Sequence, residues 1–260
     1  MARKWNKLEE DKYRNELFEL YIIQNKTIGE IADILQIKFQ TVYRRLQRLG
    51  INSCPENKKH YQNRRNDVCI PKSYSPNLAE FFGIMFGDGH LSHFQAVVTL
   101  GTKELGYAQY VKNLMEDIFQ SHAKLISRSS GYRDVYIGSV ELTSWLQKEG
   151  LVPNKVKKQV DVPRWIFSRR EYIQRFIRGF FDTDGTVYKL RFGTQVAFTN
   201  YSLPLLNSLQ LMLKKLQYKP SGVSSHKVYL TRKEDLLRFF SEIKPANNKH
   251  LERFGKFINA

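Results

Sequence analysis

Along residues 8–50 the apolar positions recur at helical spacing in three short runs. Leu17, Leu20 and Tyr21 mark the inner face of the first. The second carries Ile28, Ile31, Ala32 and Ile34-Leu35. It opens on Thr27-Ile-Gly-Glu30, a capping box in which a hydroxyl and a carboxylate each satisfy a backbone N–H at a helix start. A tight turn at 36–38 leads to a third helix with Phe39, Val42, Leu46 and Leu49 inward and Gly50 as its C-terminal cap. Its outer face presents Gln40, Thr41, Arg44, Gln47 and Arg48.

No helical or strand period survives from 51 to 76, where Pro55, Pro71 and Pro76 stand among asparagines and the basic pairs Lys58-Lys59 and Arg64-Arg65. Beyond it the pattern repeats. A helix with Leu78, Phe81, Phe82, Met85 and Phe86 inward ends in Gly87-Asp88-Gly89, and one with Ile173, Phe176, Ile177, Phe180 and Phe181 inward ends in Thr183-Asp184-Gly185. After each come a strand pair, an amphipathic helix, a second strand pair (123–137 and 222–231), a closing helix and an Asn-Lys pair, Asn154-Lys155 or Asn248-Lys249. The predicted fold class is α+β, a tandem pseudo-twofold αββαββα repeat preceded by a small all-α domain. The expected boundaries are 1–52 for the helical domain, 53–76 for a basic linker, 77–165 for the first repeat and 166–260 for the second.

Charge narrows the function. Forty-two Lys and Arg against 25 Asp and Glu leave a net charge of +17, spread over both parts of the chain. Such an excess serves a protein that sits on phosphates and releases their counterions. No apolar run reaches the ~18 residues of a membrane helix, and the start MARKWNKLEEDK lacks a secretory signal's apolar stretch. Cys54 and Cys69 match no zinc spacing, and no disulfide between them is expected in what reads as a cytoplasmic, nucleoid-associated protein if the host is prokaryotic.

The two repeated helix ends carry the chemistry. Gly83 and Gly87 lie four apart on one helix, as do Gly179 and Thr183 on the other, so the two backbones can approach and bring Asp88 and Asp184 together. Carboxylates at helix C-termini face the negative end of the dipole and repel one another, a poor arrangement for stability alone. It suits Mg²⁺, which takes one or two carboxylates plus phosphate oxygens, and hence metal-assisted phosphodiester hydrolysis.

Two resemblances follow. The short helix, turn and basic-faced helix of 27–50 resemble a helix-turn-helix DNA reader, which implies that Gln40, Thr41, Arg44 and Arg48 contact the duplex. Phe81-Phe-Gly-Ile-Met-Phe-Gly-Asp-Gly89 and Ile177-Arg-Gly-Phe-Phe-Asp-Thr-Asp-Gly185 resemble the paired motifs of single-chain LAGLIDADG homing endonucleases, over roughly residues 74–258. That resemblance implies a monomer with internal pseudo-twofold symmetry, a metal-dependent double-strand break at a long site in duplex DNA, and a link to intron homing. It implies metal binding by Asp88 and Asp184 with the carbonyls of Gly87 and Thr183. Ser241-Glu-Ile-Lys-Pro245 resembles a segment that supplies an active-site lysine, making Lys244 the first choice and Lys155 its counterpart. Sheet-face alternation nominates His93 with Gln95, Lys124 with Arg128, Lys189 with Arg191, and Ser225 with Lys227 as DNA contacts. Phe86 stands where the family often has an Asp that the second copy keeps as Asp182. The rival readings are a transcription regulator on an inactivated endonuclease fold and a maturase acting on intron RNA.

Overall fold

The structure is a computed structural model that describes residues 7–24, 26–51 and 67–258. Cys54, Pro55 and the basic pairs of the linker lie outside the described residues. By its contacts the chain divides into two compact units, Met1–Arg64 and Arg65–Ala260. No helix among the described residues is long and apolar enough to cross a membrane.

In the smaller unit, α1 (Lys7–Phe18) runs into a π-helical turn (Glu19–Ile23), followed by α2 (Ile28–Ile34) and α3 (Phe39–Arg48). The capping box forms: Thr27 Oγ1 accepts from Glu30 N at 3.2 Å, and Glu30 Oε2 accepts from Thr27 N at 2.7 Å. Gln36 takes φ 49° to turn the chain, and Gly50, at φ 65°, lets Ile51 N return to Leu46 O at 3.0 Å and close α3. Leu17, Ile31, Ala32, Val42, Leu46 and Leu49 form the core. Phe39 and Ile34, expected inward, are 56% and 52% exposed, because they flank the α2–α3 turn beyond that small core.

The larger unit holds both repeats around one continuous core. The first is α4 (Pro76–Phe86), β1 (Gly89–Leu91), β2 (Gln95–Leu100), α5 (Leu105–Phe119), β3 (Lys124–Ser127), β4 (Arg133–Gly138) and α6 (Val140–Lys148). A 3₁₀ turn (Arg164–Ser168) leads into α7 (Arg170–Asp184), β5 (Gly185–Leu190), β6 (Gly193–Thr199), α8 (Leu203–Lys215), β7 (Lys227–Leu230), α9 (Lys233–Glu242) and α10 (Asn248–Ile258). The sheets are antiparallel, in the orders β1-β2-β4-β3 and β5-β6-β7.

Three features depart from the expected pattern. The second repeat lacks a fourth strand: Pro220 has no N–H for a ladder, and Gly222 weakens what remains. Serine bonds replace the ladder, with Tyr229 N donating to Ser221 Oγ at 3.0 Å and a lone bridge joining Ser224 to Lys227. Helix α10 was not anticipated; it packs on β5 and β6 and buries His250. The last third of the expected linker belongs to the core unit, since Val68 is buried, Cys69 N donates to Phe119 O, and Ser75 caps α4 ahead of Pro76.

The whole arrangement turns on α4 against α7. A Cβ at Gly83 would strike the Phe176 carbonyl and lie 2.8 Å from Phe180 N; one at Gly179 would strike the Glu80 carbonyl and lie 3.0 Å from Ile84 N. The backbones are therefore in direct contact, as the glycine spacing predicts. Beside them Glu80 is fully buried. It pairs with Arg175 at 3.0 Å and Arg178 at 3.5 Å from α7, and accepts from Tyr110 OH at 2.5 Å. Burial raises its pKa, against the pull of both guanidiniums and the phenol.

Removing one member of such a cluster leaves charge buried and uncompensated. Glu80→Ala should lower unfolding stability by about 3–5 kcal/mol, read from urea midpoints at constant m. A midpoint within error of the parent would mean that Glu80 is not the counter-charge for both arginines.

Candidate active site

Asp184 is the last residue of α7, and Asp88 follows the Gly87 that ends α4. Because the helices touch at Gly83 and Gly179, their C-terminal ends arrive together. An added Cβ at Gly87 would lie 3.4 Å from the Asp184 carboxyl carbon and would strike the Thr183 side chain. Asp184 is half-buried, while Asp88 opens to solvent at the end of its turn.

The electrostatics follow from that convergence. Burial raises the Asp184 pKa to about 7, the Asp88 charge adds to the rise, and Asn200, Lys155 and Lys249 oppose it. The protein packed around Asp88 raises its pKa as well, with Glu104 adding and Lys249 then Lys155 opposing. Asn200 Nδ2 donates to Asp184 Oδ2 at 2.7 Å. Lys155 Nζ donates to Met85 O at 3.0 Å, Gly89 O at 2.9 Å and the Gly87 carbonyl, collecting the acceptors at the α4 end. Burial lowers the Lys155 pKa, resisted by Asp184 and Asp88. Lys249 Nζ, from α10, meets Glu104 Oε1 at 2.7 Å.

Two carboxylates with carbonyls beside them make an oxygen-only donor set, which fits a hard divalent cation. Among the described residues no group of three or more His, Cys, Asp or Glu gathers for a metal. Glu104 does not add a third ligand, because its oxygens are taken by Lys249, Asn247 and Gly101 N. The Gly87 carbonyl already accepts from Lys155, and the Thr183 hydroxyl donates back to Gly179 O and Phe180 O.

Lys244 is not among the lysines whose charges act on the two aspartates. It is exposed, at φ 52°, in the turn after α9, and the lysines acting on the carboxylates are Lys155 and Lys249. The repeated Asn-Lys pairs carried that signal. Asp182, the extra Asp of the second motif, is fully buried and accepts from Ala246 N at 2.9 Å and Asn247 N at 3.0 Å. Its burial raises its pKa to about 7, against those two N–H groups.

The sheet faces also resolve. On the first sheet the core side carries Leu91, Ala96, Val98, Val135 and Ile137; His90, Gln95, Thr99, Tyr136 and Lys124 share the other side. On the second the open side carries Thr186, Tyr188, Gln195, Lys227 and Tyr229. Gln95, Lys124 and Lys227 thus lie on the open sides of the two sheets. Arg128 lies beyond the end of β3 and is tied to Asp134 at 2.5 Å, with Thr99 Oγ1 holding the other oxygen at 2.8 Å. Lys189 does not share the open face: it has the parity of Val187 and pairs with Thr194, whose hydroxyl donates to Phe257 O of α10. His93, Arg191 and Ser225 are exposed in hairpin turns rather than in strands, so alternation does not assign them a face. In the smaller unit Gln40, Arg44 and Arg48 are exposed along α3, and Thr41 is half-buried.

A raised carboxylic pKa in the folded state gives stability that is present below the unfolded value and lost as pH rises through the folded one. For Asp184 that window runs from about pH 4 to about 7. In chelator, Asp184→Asn should therefore raise the melting temperature over the parent more at pH 8 than at pH 5. Equal gains at both pH values would refute the raised pKa.

With that geometry in hand, comparison with known proteins gives a consistent result. Residues 171–244 match the family model described as a LAGLIDADG-like domain. A segment of the replication factor C small subunit of Methanocaldococcus jannaschii is 26% identical over 193 residues, 71% of this chain and 10% of that protein. The subunit of the same name from Thermococcus kodakarensis is 29% identical over 188 residues, 70% of this chain and 21% of that protein. The chain thus spans about a tenth to a fifth of those relatives' lengths. Similar solved structures include I-DmoI in complex with DNA and Mn, 16% identical, covering 65% of this chain and 96% of that one at a TM-score of 0.49. The N-terminal LAGLIDADG domain of DUF199/WhiA is also 16% identical, covering 67% of this chain and 86% of that one at a TM-score of 0.48. Residues 171–244, whose first helix ends on Asp184, are thus similar to a LAGLIDADG-like domain.

Proposed function

We propose that this chain is a LAGLIDADG endodeoxyribonuclease, hydrolysing one phosphodiester bond on each strand of a duplex at a long recognition site with a divalent cation, Mg²⁺ by first choice. The observation that carries the reading is the meeting of Asp88 and Asp184 at the abutting ends of α4 and α7, both with raised pKa values. A structural role gains nothing from two repelling, partly desolvated carboxylates at the negative ends of two helices. The relatives' names do not transfer, since the matched segment is a minor part of each.

When bound, the cation lowers the pKa of attacking water and steadies charge on the phosphate oxygens. The chain's own residues do the rest. Asp88 and Asp184 would hold it, with the carbonyls of Gly87 and Thr183 within the same turns. Lys155 and Lys249 bring positive charge to where a phosphodiester's charge grows. The open sheet faces, with Lys124, Gln95 and Lys227, lie along the duplex, and the net charge of +17 supplies phosphate attraction. The smaller unit acts as a helix-turn-helix reader through Gln40, Arg44 and Arg48 of α3.

The test is a duplex joining the sequences that flank the gene. Wild-type protein should cut both strands with Mg²⁺ and neither with chelator, and the Asp88→Asn/Asp184→Asn double variant should bind but not cut. Tight binding without cutting by either protein would replace the endonuclease with a regulator.

Deleting residues 1–64 should weaken duplex binding and relax selectivity more than it slows cleavage of bound duplex, because a tethered reader raises effective concentration. Unchanged affinity and selectivity in the truncated chain would remove the reader role.

A further inference from the structure

The stretches after the second strand of each repeat support the two aspartates differently: Asn200 directly follows β6, whereas Glu104 stands four residues past β2 at the cap of α5, the place Ser202 takes ahead of α8. Asn200 donates directly to its aspartate. A glutamate cannot do this for Asp88; its charge instead works against the Asp88 charge. We propose that Glu104 is a positioning residue that aims Lys249 at the Asp88 half of the site, so that the two halves are built by different means and fail separately. The cleavage consequence rests on the endonuclease reading; the positioning itself does not.

The geometry is over-determined around Glu104. Its Oε2 accepts from Gly101 N at 2.9 Å, and its Oε1 accepts from Asn247 Nδ2 and from Lys249 Nζ, each at 2.7 Å. Asn247, 2% exposed, is itself fixed: its N–H donates to Asp182 Oδ1 at 3.0 Å and its side-chain amide to Asp182 O at 3.1 Å. Its Oδ1 accepts from Lys249 N at 3.3 Å, at the start of α10. The path from Asp182 through Asn247 to Glu104 therefore ties a lysine of the second repeat to a carboxylate of the first. Lys155 is held otherwise, by carbonyls of Met85, Gly87 and Gly89 in its own repeat. Phe86, at the position of Asp182, offers no acceptor for a matching turn. Both lysines act on both aspartates, and what separates them is their anchor: a carboxylate for Lys249, backbone carbonyls for Lys155.

Two readouts on the full chain test this. Acetylation by a small amine-reactive reagent, mapped by mass spectrometry, should label Lys249 several-fold faster in Glu104→Gln than in wild type, with Lys155 unchanged. Strand-resolved nicking of an end-labelled target should slow about 10- to 100-fold on one strand only, the effect of misplacing a positioned group. Lys249→Met should slow that same strand. Glu104→Asp, which keeps the charge but withdraws it by one methylene, should give the same pattern in weaker form and stands in if the glutamine variant does not fold. Unchanged Lys249 labelling, or equal slowing of both strands, would overturn the proposal and leave Glu104 as a structural tie between repeats. If wild type cuts neither strand, the endonuclease reading fails, and the labelling alone decides the role of Glu104.

Discussion

Backbone contact between α4 and α7 sets the position of everything else in the larger unit. At Gly83 and Gly179 each helix presses its main chain against the other, with no room for a Cβ on either side. Two helices so close, ending at corresponding residues, must deliver their C-terminal carbonyls and following side chains to one place. The negative ends of both dipoles and two carboxylates then share a small volume. Lys155 answers this by donating to three carbonyls at the end of α4, and Lys249 answers it from α10. The raised pKa of Asp184 and the lowered pKa of Lys155 have one cause, removal of both from water.

The pseudo-twofold relation makes the departures from it informative. Along the interface Glu80 of α4 stands where α7 has Phe176, and Phe82 stands where α7 has Arg178. One side of the helix contact is thus a buried ionic cluster; on the other Phe86 packs on Phe176 and Phe82 on Trp165. A repeat pairing with its own copy would place glutamate against phenylalanine, so the cluster favours the first repeat against the second. Where α7 has Asp182, α4 has Phe86, and only the second repeat gains the turn at 246–247 and the helix after it.

Much of this was legible in the chain, and the parts that were not share a cause. Helices, the capping box, the glycine contact and the aspartate pair are encoded by short-range spacing or by its repetition 96 residues later. Strand parity was less reliable, because one residue gained or lost in a hairpin turn reverses every face beyond it. Lys189 falls on the side toward α10 because β5 turns Gly185 and Val187 inward and Lys189 shares their parity, while Arg191 leaves the strand altogether. Lys244 was favoured on a local likeness to Lys-Pro, while the repeated Asn-Lys pair, a signal within the chain itself, marked Lys155 and Lys249. The role of Glu104 could not be read from sequence, since it depends on a partner 145 residues away.

The site's charge balance also fits the surface around it. A chain at +17 has no shortage of cations, yet those near the aspartates are fixed individually, by carbonyls at Lys155 and by a carboxylate at Lys249. Diffuse positive charge would attract a phosphate backbone without orienting it. Lysines held near the meeting point of two helices favour negative charge beyond the carboxylates at one place rather than over a whole face. Partial neutralisation leaves Asp184 near pKa 7, so two lysines do not suffice to hold both carboxylates charged below neutrality. A doubly charged ion would supply the missing stabilisation.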